Sequence, residues 1–546
     1  MSLHPQAGLG ARSAALAGDN ASSSRLQQRR ACRSSKTDAS EADDFRARMG
    51  SKTELASSQV IDGSGDEDDQ EQDRSKYDDR KASKDDETPL SPPIVTASYP
   101  PPPSGRRRPS TSDGRIGPSA LPPVDSGAAA WRFVVCGFVI WSMVWGIAYS
   151  YGSFQDYHEH NPESPFYGNS VTSISAVGTL VIGCQHFIPL LLRGFTSAYA
   201  HLLGKTVMVS LGLSVVSILV ASFSKSIAML IAFQGVCFGM TSGVLLMPVV
   251  LYLGQWFDKR RGLATSVIFM GSGVGGVVFP LVLNALLTSI GFAWTMRVWA
   301  LAQVLLNGTA LYLIKPRIRS PASTTRPHAS IKQLVRLLVP GDLRPLLNRM
   351  AMIYLVVIML QAFGWYIVSL YIATYATALG FSSTVSTGIL SAFNASAIVG
   401  YLITGPTIDR VCFPLGMAVS SGLCALTAFV LFGFATSLAT VLVFVLAFGA
   451  AGGGFGCFLT PIARDVSAVT QSDNALQFLA WMFIRGIAAV SGPLIGSALY
   501  RPHVDTQHAH PQYGINGFRG LIIFVGASMS CASLASFFAL WWRKSS

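Results

Sequence analysis

Twelve apolar runs, each of about 20 residues, follow a charged segment of roughly 130 residues. A helix needs about 20 apolar residues to cross the hydrocarbon core, and only a segment that satisfies its own backbone hydrogen bonds can stay there. The pattern predicts an all-α membrane protein with twelve transmembrane helices, spanning approximately 131–152, 171–192, 206–224, 227–252, 264–286, 293–314, 350–375, 384–404, 415–436, 438–462, 476–499 and 520–541. The long gap between the sixth and seventh runs divides them into two six-helix bundles. The expected organisation is a disordered cytoplasmic tail at 1–129, a first bundle at 130–314, a cytoplasmic linker at 315–349 and a second bundle with a short cytoplasmic tail at 350–546.

Charge is unevenly placed along the chain. Residues 1–130 hold 20 of the 29 acids and 18 of the 41 bases, leaving 9 acids and 23 bases for the apolar part. The tail is rich in Ser, Asp, Arg and Pro, and its acidic stretch Asp66–Asp79 and proline run Pro100–Pro103 cannot bury a core. The first 36 residues carry six bases and one acid, Asp19, which is the composition of a mitochondrial presequence. The acidic segment behind them favours a cytoplasmic tail instead. No secretory apolar stretch opens the chain. In the linker, Ile331, Leu334, Val335 and Leu338 repeat at helical spacing between bases, which predicts an interfacial amphipathic helix against membrane lipid.

Lys and Arg set the orientation. With the tail inside, eighteen bases fall on the inner side and four, Lys225, Arg297, Arg501 and Arg519, on the outer. Both termini are therefore expected in the cytosol. The basic excess reads as topology and lipid-facing charge, not nucleic-acid binding. The eight cysteines show no CxxC pair and read as helix-packing residues. No GxxxxGK[ST] loop, hydrolase elbow or zinc motif occurs, so neither enzyme activity nor a cofactor is expected. His158, His160, His503, His508 and His510 fall in expected outer loops and read as solvated.

Glycines recur at four-residue spacing: Gly235, Gly239 and Gly243; Gly271 and Gly275; Gly449 and Gly453; Gly492 and Gly496. Such stripes let helix backbones approach closely. Several stretches then carry a specific likeness. Gly146-Ile-Ala-Tyr-Ser-Tyr-Gly-Ser-Phe-Gln-Asp-Tyr157 and Gln255-Trp-Phe-Asp-Lys-Arg-Arg-Gly-Leu-Ala264 resemble signatures of the fungal monocarboxylate-porter-like family of the major facilitator superfamily. So do Gly291-Phe-Ala-Trp-Thr-Met-Arg297, Tyr375-Ala-Thr-Ala-Leu-Gly380, the Gly405–Arg410 segment and Ser491-Gly-Pro-Leu-Ile-Gly496. The resemblance implies two bundles around a central site, with helices 1, 4, 7 and 10 lining it, and alternating access as a symporter or antiporter.

The departures from the family pattern matter equally. His201 stands where the loop between helices 2 and 3 usually carries an Asp. Ala397 and Tyr401 occupy the helix 8 positions of the Asp and Arg that animal relatives use for substrate and proton, and Ile231 replaces the helix 4 Arg of drug–proton antiporters. None of those roles carries over.

Arg485 remains, about nine residues into its span, near the midplane. A charge there is costly and faces a cavity or a partner. No carboxylate occurs at that depth in any expected span. An Arg without an acid suggests a site for an external anion, because guanidinium binds carboxylate in a bidentate fork. The alternative is a structural Arg held by helix carbonyls and by Gln477 or Asn394. Neutral candidates for the same cavity are Tyr149, Gln361, Tyr366 and Asn394. Lys259, Arg260, Arg261, Asp409 and Arg410 read as topology or gating charges. Arg193, Arg464 and Arg410 flank inner helix ends and read either as topology charges or as inner-gate pairs, with Asp409 and Asp465 as the candidate partners.

Together these readings predict a monomeric secondary transporter of the plasma membrane for a small organic anion, mono- or dicarboxylate, with export of a metabolite such as itaconate as one case. Alternatives are transport of a larger vitamin-like or secondary-metabolite molecule, a transporter-like nutrient sensor, and, for location, the mitochondrial inner membrane.

Overall fold

The computed structural model describes residues 121–318, 344–501, 513–514 and 517–545. The expected tail disorder over 1–120 and the expected linker helix at 331–338 lie outside them. Every regular element among the described residues is helical. Eleven helical stretches among the described residues are long and apolar enough to cross a membrane. We number the spans α1 (Ala128–His160), α2 (Val171–Leu191), α3 (Ala200–Ala221), α4 (Ile227–Trp256), α5 and α6 (together Arg261–Leu313), α7 (Arg349–Ala378), α8 (Ser383–Ile408), α9 (Phe413–Phe434), α10 (Leu438–Thr470), α11 (Asn474–Leu499) and α12 (Arg519–Arg543).

The fifth stretch is two spans. Gly291 has φ 73°, in the left-handed region that breaks a right-handed helix at little cost only when the residue is glycine. The chain reverses there, so eleven stretches supply twelve spans. Helix starts are specified locally. Ser170, Ser226, Ser382 and Ser437 each accept a hydrogen bond from the backbone N–H three residues on, and Asn348 and Asp473 from the N–H two residues on.

In a bilayer, helices associate through packing, not through release of water. The glycine stripes provide it. Gly146 of α1 and Gly275 of α5 face one another so closely that a Cβ on either would lie 2.7 Å from the other's Cα. The α4 stripe meets α2, with Gly235 against Val177 and Leu180. Gly453 of α10 packs on Ala397 of α8. Trp141 stacks on Phe269 at 4.2 Å, tying α1 to α5.

Two seams join the six-helix halves: α2 against α11, and α5 against α8. Their contacts at the end carrying Lys259–Arg261, the basic end, revise the expected pairings. Arg193 pairs with Asp473 across the first seam. Across the second, the Asp409 carboxylate accepts N–H bonds from Gly262 (2.8 Å) and Leu263 (2.9 Å), capping α5 from α8. Arg464 lies 4.0 Å from Asp258, and Asp465 holds Arg543 within the second half at 3.1 Å. Arg410 is exposed. The carboxylates nearest in sequence go to helix N-termini and distant bases, because the helix end, with its unpaired N–H groups, is the stronger local attractor.

The folded body begins before Ala128. Asp125 accepts backbone N–H bonds from Asp258 (2.9 Å), Lys259 (3.1 Å) and Arg260 (3.0 Å), and Arg317 donates to the Pro122 carbonyl at 2.8 Å. The last residues of the segment read as tail are thus packed on the loop between α4 and α5. Partial burial pushes the Asp125 carboxyl up, but the three N–H donors outweigh it and hold it below its ordinary value. His158, read as a solvated loop residue, is instead fully buried at the tip of α1, with Nδ1 2.8 Å from the Ser164 hydroxyl and Phe154, Phe166 and Phe292 around the ring.

Candidate transport site

Arg485 is 8% exposed, on the face of α11 that meets α7. Its Nη1 donates to Gln361 Oε1 at 2.9 Å, and the guanidinium carbon lies 5.7 Å from the centre of the Tyr366 ring. Gln477, offered as a structural partner, instead donates to Ser472 at 3.0 Å. No carboxylate pairs with Arg485 among the described residues. A guanidinium carries five N–H donors, more than Gln361 and Tyr366 can accept.

Three other candidates join it. Gln361 and Tyr366 lie one and a half turns apart on α7, and Tyr149 on α1 has Tyr366, Tyr401 and Arg485 as its electrostatic neighbours. Tyr401 of α8 reaches Ser272 of α5, with the two hydroxyl oxygens 3.4 Å apart. Among the described residues, Arg485 is the one Lys or Arg of this cluster. Asn394 is not in this cluster. It sits in the α5–α8 seam against Gly276, donating to the carbonyls of Gly276 (3.3 Å) and Leu390 (3.1 Å). Helices α4 and α10 contribute none of these polar side chains.

One residue of the cluster was missed. His186 of α2 is 2% exposed. Its Nδ1 lies 2.8 Å from the Ile182 carbonyl and its Nε2 3.2 Å from the Tyr366 hydroxyl, so it bonds across the α2–α11 side of the molecule to α7 in the other half. Trp145 of α1 meets the imidazole edge-on at 4.4 Å. The signal was present: a titratable side chain inside an apolar run is by default a functional candidate.

Two buried donors of this cluster lack a hydrogen-bond partner, Gln361 Nε2 and Trp145 Nε1. Buried polar atoms are normally satisfied. With the spare N–H groups of Arg485, the centre has a surplus of donors, which is the chemistry of an anion seat. Two cavities lie toward the basic end, of about 150 and 630 Å³, and neither is lined by Arg485. The larger is lined by Lys259, Arg261, Asp409 and Arg464. Lys259 and Arg260 are exposed, and Arg261 is half-buried.

Twelve apolar spans in two halves around a buried polar centre define a polytopic transport fold. The model of the Major Facilitator Superfamily matches residues 135–493, and the chain belongs to that superfamily. It is similar to the MFS-type transporter pynF of Aspergillus niger, 26% identical over 76% of this chain and 90% of the relative. It is also similar to pytF of Aspergillus terreus, 27% identical over 53% of this chain and 92% of the relative. A third relative, the agnestins efflux protein AgnL12 of Paecilomyces divaricatus, is 26% identical over 75% of this chain and 88% of its own. Among solved structures, that of the human organic anion transporter MFSD10 covers 76% of this chain and 97% of its own at 16% identity, with a TM-score of 0.47.

Proposed function

We propose that this membrane transporter exports an organic acid by alternating access, with Arg485 as the anion seat. The observation that carries the reading is the donor surplus at the centre: Arg485 without a carboxylate partner, beside the unpartnered amide of Gln361 and indole of Trp145. The monocarboxylate-porter-like signatures point to a mono- or dicarboxylate, itaconate being one case. The relative named for efflux supports the outward direction. In this reading the basic end is cytosolic, the membrane is the plasma membrane, and the cross-half contacts of Arg193, Asp409 and Asp473 form the inner gate. Lys259, Arg260 and Arg261 serve topology and gating.

A second reading takes a larger secondary metabolite as cargo. The Tyr366 ring beside Arg485 and the stacked Trp145 and Tyr149 rings favour it, since they offer aromatic surface to a larger molecule. Proteoliposomes holding the purified chain decide between these readings and the sensor alternative. Labelled itaconate should exchange across the membrane, and Arg485→Ala should remove that exchange. Normal exchange by a well-folded Arg485→Ala sinks the anion seat. Binding without net flux selects the sensor.

A further inference from the structure

The larger cavity at the basic end, of about 630 Å³, has no ligand in the function proposed above. Both halves wall it: the α4–α5 loop and the start of α5 on one side, residues of α8, α10 and α12 on the other. Four bases line it, Lys259, Arg261, Arg464 and Arg543, with three acids, Asp258, Asp409 and Asp465. The acids are already engaged. Asp409 accepts the N–H groups of Gly262 and Leu263 at 2.8 and 2.9 Å. Asp465 takes Arg543 at 3.1 Å, and Asp258 lies 4.0 Å from Arg464.

The bases are less fully matched. The Asp258–Arg464 pair is long and more than half exposed on both sides, so water screens it and Arg464 can turn to another anion at little cost. No ion pair among the described residues engages Lys259 or Arg261. Arg261 Nε is buried and has no hydrogen-bond partner, although buried polar atoms are normally paired. Three cations thus stand open to one guest, from the α4–α5 loop, the start of α5 and α10. A carboxylate offers two oxygens in one plane and suits a single guanidinium. A phosphate monoester offers three acceptor oxygens and nearly two negative charges near neutrality, which suits cations that converge from different elements.

We infer that this cavity is a binding site for a phosphate monoester, separate from Arg485, and that its occupant ties the two halves together at the basic end. Lys259 and Arg261 hold the phosphate from the first half, and Arg464 holds it from the second. The occupant lies across the α5–α8 seam where Asp409 caps α5, so it adds to the contacts that must part before that end can open. The ester is therefore a brake on opening, whether it arrives as a soluble molecule or as the headgroup of a phospholipid. The inference does not rest on the organic-acid reading, and its failure leaves Arg485 untouched.

Cys412 lines the same cavity and is exposed, so its thiol reports occupancy. The full chain in phosphatidylcholine nanodiscs is treated with a water-soluble maleimide at fixed ionic strength, and labelling of Cys412 is read by peptide mass. Glycerol 3-phosphate should slow that labelling, and glycerol should not. A parallel sample replaces a minor share of the lipid with phosphatidic acid, which carries the same ester on a lipid. Protection by either probe sustains the inference, and the probe that protects names the source. Arg261→Gln should raise the amount needed for half-protection by about ten- to hundred-fold, the loss of one charge-assisted contact. Lys259→Gln alters an exposed side chain and should shift it in the same direction, so poor folding of Arg261→Gln leaves the test intact. Hydrogen exchange in peptides from the α5 start and from α10 reads the tie, and the protecting probe should slow both. No protection by either probe, equal protection by itaconate, or unchanged half-protection in Lys259→Gln and in folded Arg261→Gln overturns the site. Slowing confined to one half overturns the tie.

Discussion

The two seams between the halves are built from different materials. Along α5–α8 the contacts are made by glycines of α5: Gly262 against the Gly405 carbonyl and the Asp409 carboxylate, Gly273 against the Ile398 side chain, Gly276 against the Asn394 amide. Its one charge, Asp409, is spent on two backbone N–H groups of α5. Along α2–α11 the contacts are side chains with chemistry: Phe187 against Phe483 at 4.7 Å, His186 beside Gly486, and the Arg193–Asp473 pair, with Arg485 on the same helix. Close glycine contacts resist a change of distance yet present no bulky side chain to sliding. Polar and aromatic contacts must be exchanged for others when they part. If the proposed alternating access holds, the first seam is the one suited to bear the motion and the second the one suited to sense the cargo.

The largest effect should come from removing the charge of the second seam. Arg485→Ala is expected to lower transport of the anion by ten- to hundred-fold, since a charge-assisted contact contributes about 1.5–3 kcal/mol. Arg485→Lys keeps the charge and loses the fork, so it should also bind weakly. Uptake normalised to folded protein at the membrane measures both, and poor folding without a defect per folded molecule would move Arg485 to a structural role. The first seam should answer differently. A Cβ at Gly262 would lie 2.6 Å from both Asp409 Oδ1 and the Gly405 carbonyl oxygen. Gly262→Ala should therefore cost about 1–3 kcal/mol of stability and slow turnover, with the affinity for anion unchanged. A thermal-shift series beside KM and kcat reads the split. Loss of affinity at Gly262 equal to that at Arg485 would break the division of labour.

What the sequence showed and hid follows the same line. Span number, glycine faces and Arg485 are local signals: run length, spacing of four, and one charge in an apolar run. Gln361 and Tyr366 share a helix with the same logic. The pairings were hidden because they join residues far apart in the chain. Arg193 and Asp473 are separated by 280 residues, and His186 and Tyr366 by 180. Sequence proximity suggested Asp409 or Asp465 for the inner bases, whereas the free N–H groups of α5 took Asp409. The reversal at Gly291 was legible as a gap between two runs, and the non-helical backbone of that one glycine makes it.

A smaller effect should separate the two seams at the basic end. Arg193 and Asp473 are partly exposed, and such pairs contribute about 0.2–1 kcal/mol. Asp473→Asn still caps α11 but loses the attraction to Arg193. It should shift the balance of open and closed forms at the basic end by no more than about five-fold. Labelling of a cysteine placed in the larger cavity reports that shift. The double charge exchange at 193 and 473 should restore the wild-type rate if the pair acts across the seam. Asp409→Asn should have the greater effect, because one carboxylate there satisfies two N–H groups of a helix start. Equal effects would mean that the seams close by one mechanism.

The smallest effect lies outside both seams, and it tests whether the basic end of the first half is a fixed platform. Asp125 binds three successive N–H groups of the loop leading into α5, and its carboxyl is held below the ordinary value of 3.8. A group whose folded value is depressed adds stability that is complete above its unfolded value and is lost as pH falls through its folded value. Asp125→Asn should therefore lower stability at pH 7 by about 1 kcal/mol or less at this half-buried site, read as a slightly lower unfolding temperature. The difference from wild type should shrink below pH 3.8 and vanish once the wild-type carboxyl is protonated. A chain starting at Ala128 loses the same contacts and should show the same small deficit while still transporting, because neither Arg485 nor either seam touches Asp125. Thermal unfolding at neutral and acid pH, beside flux at pH 7, decides it. A truncated chain that folds but carries no anion would mean that the loop into α5 is set by Asp125 before the α5–α8 seam can bear any motion.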